Sequence, residues 1–366
     1  MALNRFQPIL IAGLLPLLVF AWFSRSVAGQ VDFWLLWLLA MTLVGLPLVF
    51  AEVALAHRSG TTPLVGLPML TREADIGTVW RGFGWLTVAL LTVVTGHLLA
   101  SSAELLQPIA GQVALPALLA VLALIALGLS MAKHIAGWLA FALALVALVM
   151  NAAQSGVVTW QMTATSLTEW SLAMVLALVS VGVGTGLYWQ ARANQLLGDA
   201  DAKEQAQRTA ASRYVLPVWS FQLVAGGIVA FLFTPDTNNQ IANIAYALAM
   251  LAGAAYLIHL LTHQLSLKLR QQGFNFLMLV LVAVASLLLA MLPTVWLNQF
   301  LIVLSLVAAI WLALFAGWQM KISHLRKSLN FTSEGLYNLW RVVVRIVVPL
   351  AVVLALVGWV MGFVES

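Results

Sequence analysis

The chain has 366 residues, of which 63% are hydrophobic and 8% charged, with a formal net charge of +5. Soluble domains carry about 25% charged residues, so this composition places the chain in a membrane. Cysteine is absent, which removes disulfides, thiol catalysis and cysteine metal sites and leaves the redox compartment open.

Apolar runs of about 20 residues, with no alternating barrel strands, predict an all-α, polytopic protein of about eleven transmembrane helices. Span one is expected near Gln7–Phe23, with Arg5 before it and Ser24-Arg25-Ser26-Val27-Ala28 after it. A basic start, a short apolar core and Ser-Val-Ala are also the ingredients of a signal peptide, so two readings stand there. Pro16 lies mid-span, where proline removes a backbone hydrogen bond and kinks or breaks a helix. Span two is expected near Phe33–Ala56, with Glu52 near its far end, followed by a loop with a short interfacial helix between Arg58 and Trp80. Span three, near Gly82–Leu106, carries His97. Spans four (Ala114–Met131) and five (Ala136–Ala153) are joined through Lys133-His134.

Span six, near Trp170–Trp189, contains Ser180-Val181-Gly182-Val183-Gly184-Thr185-Gly186. Each glycine costs a helix about 1 kcal/mol relative to alanine. A backbone break inside lipid survives only where protein buries it or where it lines a cavity. The alternative is a small-xxx-small packing face through Gly182 and Gly186. A polar stretch follows over Ala191–Arg213, with a short surface helix expected at Asp199–Glu204. Span seven is near Tyr214–Phe233, and span eight, near Ile241–His263, holds Tyr256, His259 and His263. Span nine (Phe274–Leu292), span ten (Trp296–Trp318), a basic connection (Lys321–Asn338) and span eleven (Leu339–Met361) complete the chain.

Charge tests this count. With a cytoplasmic N-terminus, the inner loops hold every one of the 17 lysines and arginines except Arg25, as the positive-inside rule requires. Asp32, Glu169, Asp236 and Glu365 fall outside. The expected setting is therefore the cell inner (plasma) membrane, with the C-terminus extracytoplasmic. The positive charge is then a topology signal, and nucleic acid is not an expected partner. Tryptophans near span ends, such as Trp34, Trp80, Trp170, Trp296 and Trp340, read as an aromatic belt.

Span two carries Gly45-Leu46-Pro47-Leu48, then Glu52, then Arg58-Ser-Gly60, and this resembles the end of the second helix in the neurotransmitter:sodium symporter family. Ser180-Val-Gly-Val-Gly184 is similar to the unwound part of that family's sixth helix. The resemblance implies a LeuT-type fold in one membrane domain, residues 1–366. Two inverted repeats are implied, 6–157 and 168–320, with an extra helix at 338–363. A substrate would lie near the midplane between spans one, three, six and eight, against Pro16, Thr95, Ser180, Gly182, Val183, Gly184 and Thr185. In the family, the glutamate corresponding to Glu52 ties helix two to the broken helix, and a proton-carrying role is the alternative.

The chain also departs from the family. The stretch Gly13–Phe20 has no polar side chain where the family's first helix binds sodium and substrate. Val218, Ala255 and Tyr256, and Thr95 fall where the family has a sodium-binding asparagine, a hydroxyl pair and a substrate-binding tyrosine. Arg270 falls where the family's N-terminal arginine has its acidic partner, leaving Arg5 without a mate. The twelfth helix is missing. These losses imply a transporter that does not use the usual sodium sites.

His97, Tyr256 and His259 are then candidates to face the central cavity as a titratable coupling site. The plainer reading is that neutral histidines bond a neighbouring helix. His259 and His263 have an i, i+4 metal spacing, but no metal is expected because no carboxylate or cysteine lies nearby in sequence. Freed amides at the break suit a carboxylate. No nucleotide loop, paired catalytic carboxylates or hydrolase triad is present, so neither enzyme activity nor a cofactor is expected. The functional expectation is transport of a small organic solute of the amino acid or amine class. The alternative is a degenerate, non-transporting scaffold or partner subunit, with a membrane-protein partner or a second copy of the chain.

Overall fold

The computed structural model describes residues 13–19, 27–155, 159–196, 204, 210–232, 239–269 and 275–365. Most of the residues of span one, the expected surface helix at 199–204 apart from Glu204, and Arg270 lie outside the described residues.

α1 is the helical stretch 13–19. α2 runs Val31–Ser59 and carries a π turn at Met41–Gly45. α3 (Pro63–Ala74) is the short helix expected between spans two and three. α4 (Gly82–Ala110), α5 (Leu115–Ser130) and α6 (His134–Ser155) follow. The sixth span is two helices, α7 (Leu167–Val181) and α8 (Leu187–Leu196). Then come α9 (Ser212–Leu232), α10 (Gln240–Lys268) and α11 (Phe276–Ala290). α12 (Thr294–Gln319) ends in a π turn at Phe315–Gln319. α13 (Ile322–Leu329) is short, and α14 (Glu334–Val364) has a π turn at Val343–Val347.

Among the described residues, seven helices are long and apolar enough to cross a membrane, and α5, α7 and α11 are shorter apolar helices. With α1 they correspond to the eleven expected spans. The chain is an all-α, multi-pass membrane protein.

α10 is the central helix, with 83% of its most apolar window buried against 22% for α14. It packs on α4, α5, α6 and α11. Small side chains allow the close approach: Ala136, Ala140, Ala144 and Ala147 form a fully buried stripe on α6, and Ala249, Ala252, Gly253 and Ala255 are buried on α10. In lipid, where no hydrophobic force drives helices together, such small-residue contacts are what let backbones pack.

One end of the bundle gathers basic groups around α3. Arg58 forms an ion pair with Glu73, Arg81 Nε donates to Thr71 Oγ1 at 3.0 Å, and Lys268 and Lys321 donate to the carbonyls of Leu64 and Glu73. At Asp32, the N-terminal end of α2, the carboxylate accepts from the amide and hydroxyl of Thr163 at 2.9 and 2.8 Å.

The aromatic-belt expectation needs correction at two positions. Trp34 and Trp340 are buried, whereas Trp296 is 54% exposed. The Trp340 indole donates to Pro47 O at 3.0 Å, and Trp219 donates to Met41 O at 3.1 Å. Both carbonyls lie in or beside the π turn of α2, where a regular helical ladder is interrupted, so these indoles act as internal donors.

Candidate functional site

The glycine run is a break, not a packing stripe. A capping box of Ser166 and Glu169 starts α7, and the helix ends at Val181. Gly182, Gly184 and Gly186 have φ of +66°, +76° and +76°. A residue with a Cβ pays roughly 1–2 kcal/mol for that left-handed conformation, so alternate glycines are what the path requires.

Several of the polar groups freed by the break are bonded within the protein. Gly184 N donates to Glu52 Oε2 at 2.9 Å. The Gly186 amide and the Trp189 indole also face this carboxylate, which is fully buried. The carbonyl of Val181 accepts from the Tyr188 hydroxyl and from Gln222 Nε2, the latter at 3.2 Å. Thr185 Oγ1 donates to Gly182 O. Below the break, Gln190 Nε2 donates to Leu260 O at 2.7 Å and Gln264 Nε2 to Thr87 Oγ1 at 3.2 Å, tying α8, α10 and α4 together. The carboxylate expected at these amides is therefore the chain's own.

α1 fills the space beside the break. Leu14, Leu15, Leu17, Leu18 and Val19 are buried, as is Pro16. A Cβ on Gly182 would lie 3.0 Å from Leu15 Cδ1, and one on Gly253 of α10 would overlap Leu18 Cδ1. Leu15 and Leu18 thus occupy the hollows that these two glycines leave. The Tyr246 hydroxyl of α10 donates to the carbonyls of Leu17 and Leu18, which fixes α1 against α10.

The remaining candidates fall into two groups. The hydroxyls of Ser180 and Thr95 donate to Leu176 O and Leu91 O of their own helices, each at 2.7 Å. Val183 is buried within the break, and His97 is buried on α4. Tyr256 and His259 instead sit beside His134 of α6, each with ring centroids 6.3 Å from that imidazole. Val218, at one expected sodium position, is a buried apolar side chain. Among the described residues, no three His, Asp or Glu side chains gather as a metal site would need.

Gln222, Gln264, Tyr246 and His134 were missed as partners in the sequence. The signal was present for the two glutamines, since an amide inside an apolar run needs a partner on a neighbouring helix.

No protein-family model and no curated protein matches the sequence. Among solved structures, the fold is similar to that of MhsT in complex with L-phenylalanine. The match covers 97% of this chain and 98% of that one at 16% identity, with a TM-score of 0.66. At that identity the likeness carries the fold alone, and the fold of this chain is the LeuT type.

Proposed function

We propose that the chain is a secondary transporter of a small organic solute, of the amino acid or amine class, that works without the usual sodium sites. The observation that carries this reading is the unwound segment Gly182–Gly186, bonded through the Gly184 amide to the buried Glu52. The fold likeness to a protein solved with L-phenylalanine supports a solute of that class. In this reading Leu15 and Leu18 close the centre, and a solute binds after α1 withdraws from α7 and α10. The solute then lies against Pro16, Thr95, Ser180, Gly182, Val183, Gly184 and Thr185. His97, Tyr256, His259 and Glu52 supply coupling or gating, with a proton or no ion in place of sodium. Residues 6–157 and 168–320 form the inverted repeats and 338–363 the additional helix. The protein sits in the inner membrane with its N-terminus in the cytoplasm, supported by the basic residues gathered around α3.

One observation favours a second reading. The apolar side chains of Leu14, Leu15 and Leu18 leave α1 no polar group to offer a ligand, which suits a non-transporting scaffold that binds another membrane protein or a second copy of itself.

The test is a thermal-shift screen of the purified protein against amino acids and amines, with and without sodium, at two pH values. A ligand that binds the folded state raises its stability by mass action. Transport through this site requires a stabilising solute, without sodium, whose effect disappears in Gly184→Leu. A hit that needs sodium would overturn the sodium-free part of the proposal. A blank screen joined to co-purification of a stoichiometric partner would favour the scaffold.

A further inference from the structure

The end of α12, one face of α13 and Arg345 of α14 line an open surface hollow of about 930 Å³, apart from the glycine break. Its lining includes Lys321, Arg326, Lys327 and Arg345, together with Trp318 and Ser323, and no carboxylate. Basic residues at this end of the bundle follow from topology, but topology alone does not make them converge on a hollow.

The geometry shows how they are held. Arg345 enters from α14, where the π turn Val343–Val347 faces the π turn Phe315–Gln319 of α12. Its Nε donates to Gly317 O, and its guanidinium carbon sits 5.0 Å from the Trp318 ring centroid. That leaves the terminal nitrogens of the guanidinium as donors at the cavity wall, in a planar fork suited to phosphate. Arg326 pairs with Glu334, a residue outside the lining, at 2.5 Å. Lys321 gives one hydrogen bond to Glu73 O at 3.3 Å and Lys327 adds a further charge.

Exposed apolar side chains adjoin the hollow on α14. Trp318 is 57% exposed, and Leu339, Val342, Ile346 and Leu350 form an exposed stripe along α14, with Val342 one turn before Arg345. This juxtaposes a cation-lined hollow with an acyl-chain surface on one helix.

We propose that this cavity binds the phosphate of an anionic lipid headgroup in the leaflet on the basic side of the protein. The acyl chains would lie along the α14 stripe. A free phosphate shares the headgroup chemistry but has no use for that stripe. The assignment stands apart from solute transport at the glycine break.

Native mass spectrometry of the full chain in detergent tests it, with titrations of phosphatidylglycerol, phosphatidylcholine and inorganic phosphate. The variants are Lys321→Gln/Lys327→Gln, which leaves the Arg345–Gly317 bond in place, and, as a control, Lys133→Gln, a basic residue outside this lining. One phosphatidylglycerol should bind in preference to phosphatidylcholine. The double variant should weaken it roughly tenfold or more, since each cation near an anionic surface contributes about 1 kcal/mol. Lys133→Gln should have no effect. Equal retention of both lipids, or phosphatidylglycerol binding unchanged in the double variant, would overturn the proposal. Retention of inorganic phosphate, with no preference for either lipid, would assign the cavity to a free anion and overturn the lipid assignment.

Discussion

The carboxylate of Glu52 accepts the backbone amide of Gly184 at 2.9 Å, across 132 positions of sequence. A helix break inside a membrane protein needs an internal partner for each freed group, because lipid supplies none. α2 supplies that partner here, and the break is therefore a built feature of the core.

Removing the carboxylate should unsettle the break. Glu52→Ala leaves the Gly184 amide buried without its acceptor, which costs roughly 1–3 kcal/mol. Glu52→Gln keeps an oxygen acceptor and should lose less. Thermal unfolding in detergent measures both. Equal melting temperatures for Glu52→Ala and the parent protein would show that the bond has no structural weight.

Gly184 is confined twice over. Its φ is +76° and an added Cβ would lie 2.5 Å from the Ala308 Cβ of α12. Gly184→Ala should therefore cost at least about 1–2 kcal/mol from conformation alone, with the overlap added. Gly227 has no positive φ and an added Cβ there meets nothing within 4 Å. Gly227→Ala, inside α9, should be neutral to stabilising by up to about 1 kcal/mol, and the contrast between the two is read from melting temperatures.

The indole of Trp219 donates to Met41 O beside the π turn of α2. Trp219→Phe keeps an aromatic ring and removes the donor, so the expected loss is about 1 kcal/mol. A larger loss would point to packing, and no loss would show that the Leu46 amide, which also donates to Met41 O, satisfies this carbonyl alone.

Glu73 makes a pH-dependent contribution at the basic end. The hydrogen bond from Arg58 holds its carboxyl below the usual 4.5, against the opposing effect of partial burial and with smaller help from the charges of Arg58, His324 and Lys321. Because the folded value is the lower one, the stabilisation is present above 4.5 and fades as pH falls through the folded value. The Glu73 side chain is 42% exposed, so the effect should stay below about 1 kcal/mol and shrink in salt. The difference in melting temperature between the parent and Glu73→Gln should exist at neutral pH and vanish well below 4.5. A difference that persists in acid would contradict this.

Much of the fold was legible because lipid imposes a simple rule: each span must be apolar and about 20 residues long. The interfacial helix α3 and the break in span six were readable for the same reason, since glycine at alternate positions has no place in a regular helix. The bonds at the break were harder to read. Glu52 and Gly184 meet through tertiary packing, and no local pattern announces that the amide's partner is already inside the chain. Trp340 was misread because its place near a span end suggested the interface, while the carbonyl of Pro47 drew it inward. His134 was passed over as part of a turn, yet its ring lies beside both Tyr256 and His259. Periodicity tells which side of a helix is apolar, and does not tell which neighbour a histidine meets.

The central claim is that α1 leaves the broken helix during a working cycle. The chain has no cysteine, so a single Leu15→Cys variant reports this directly through labelling by a maleimide in reconstituted vesicles. Met162→Cys, at a position 75% exposed, is the positive control. Leu15 is 2% exposed in this closed arrangement, so labelling requires α1 to move. Slow labelling whose rate changes with a solute found in the thermal-shift screen is the expected result. Complete protection of Leu15→Cys under every condition, with Met162→Cys fully labelled, would contradict transport and leave α1 as a fixed part of a scaffold.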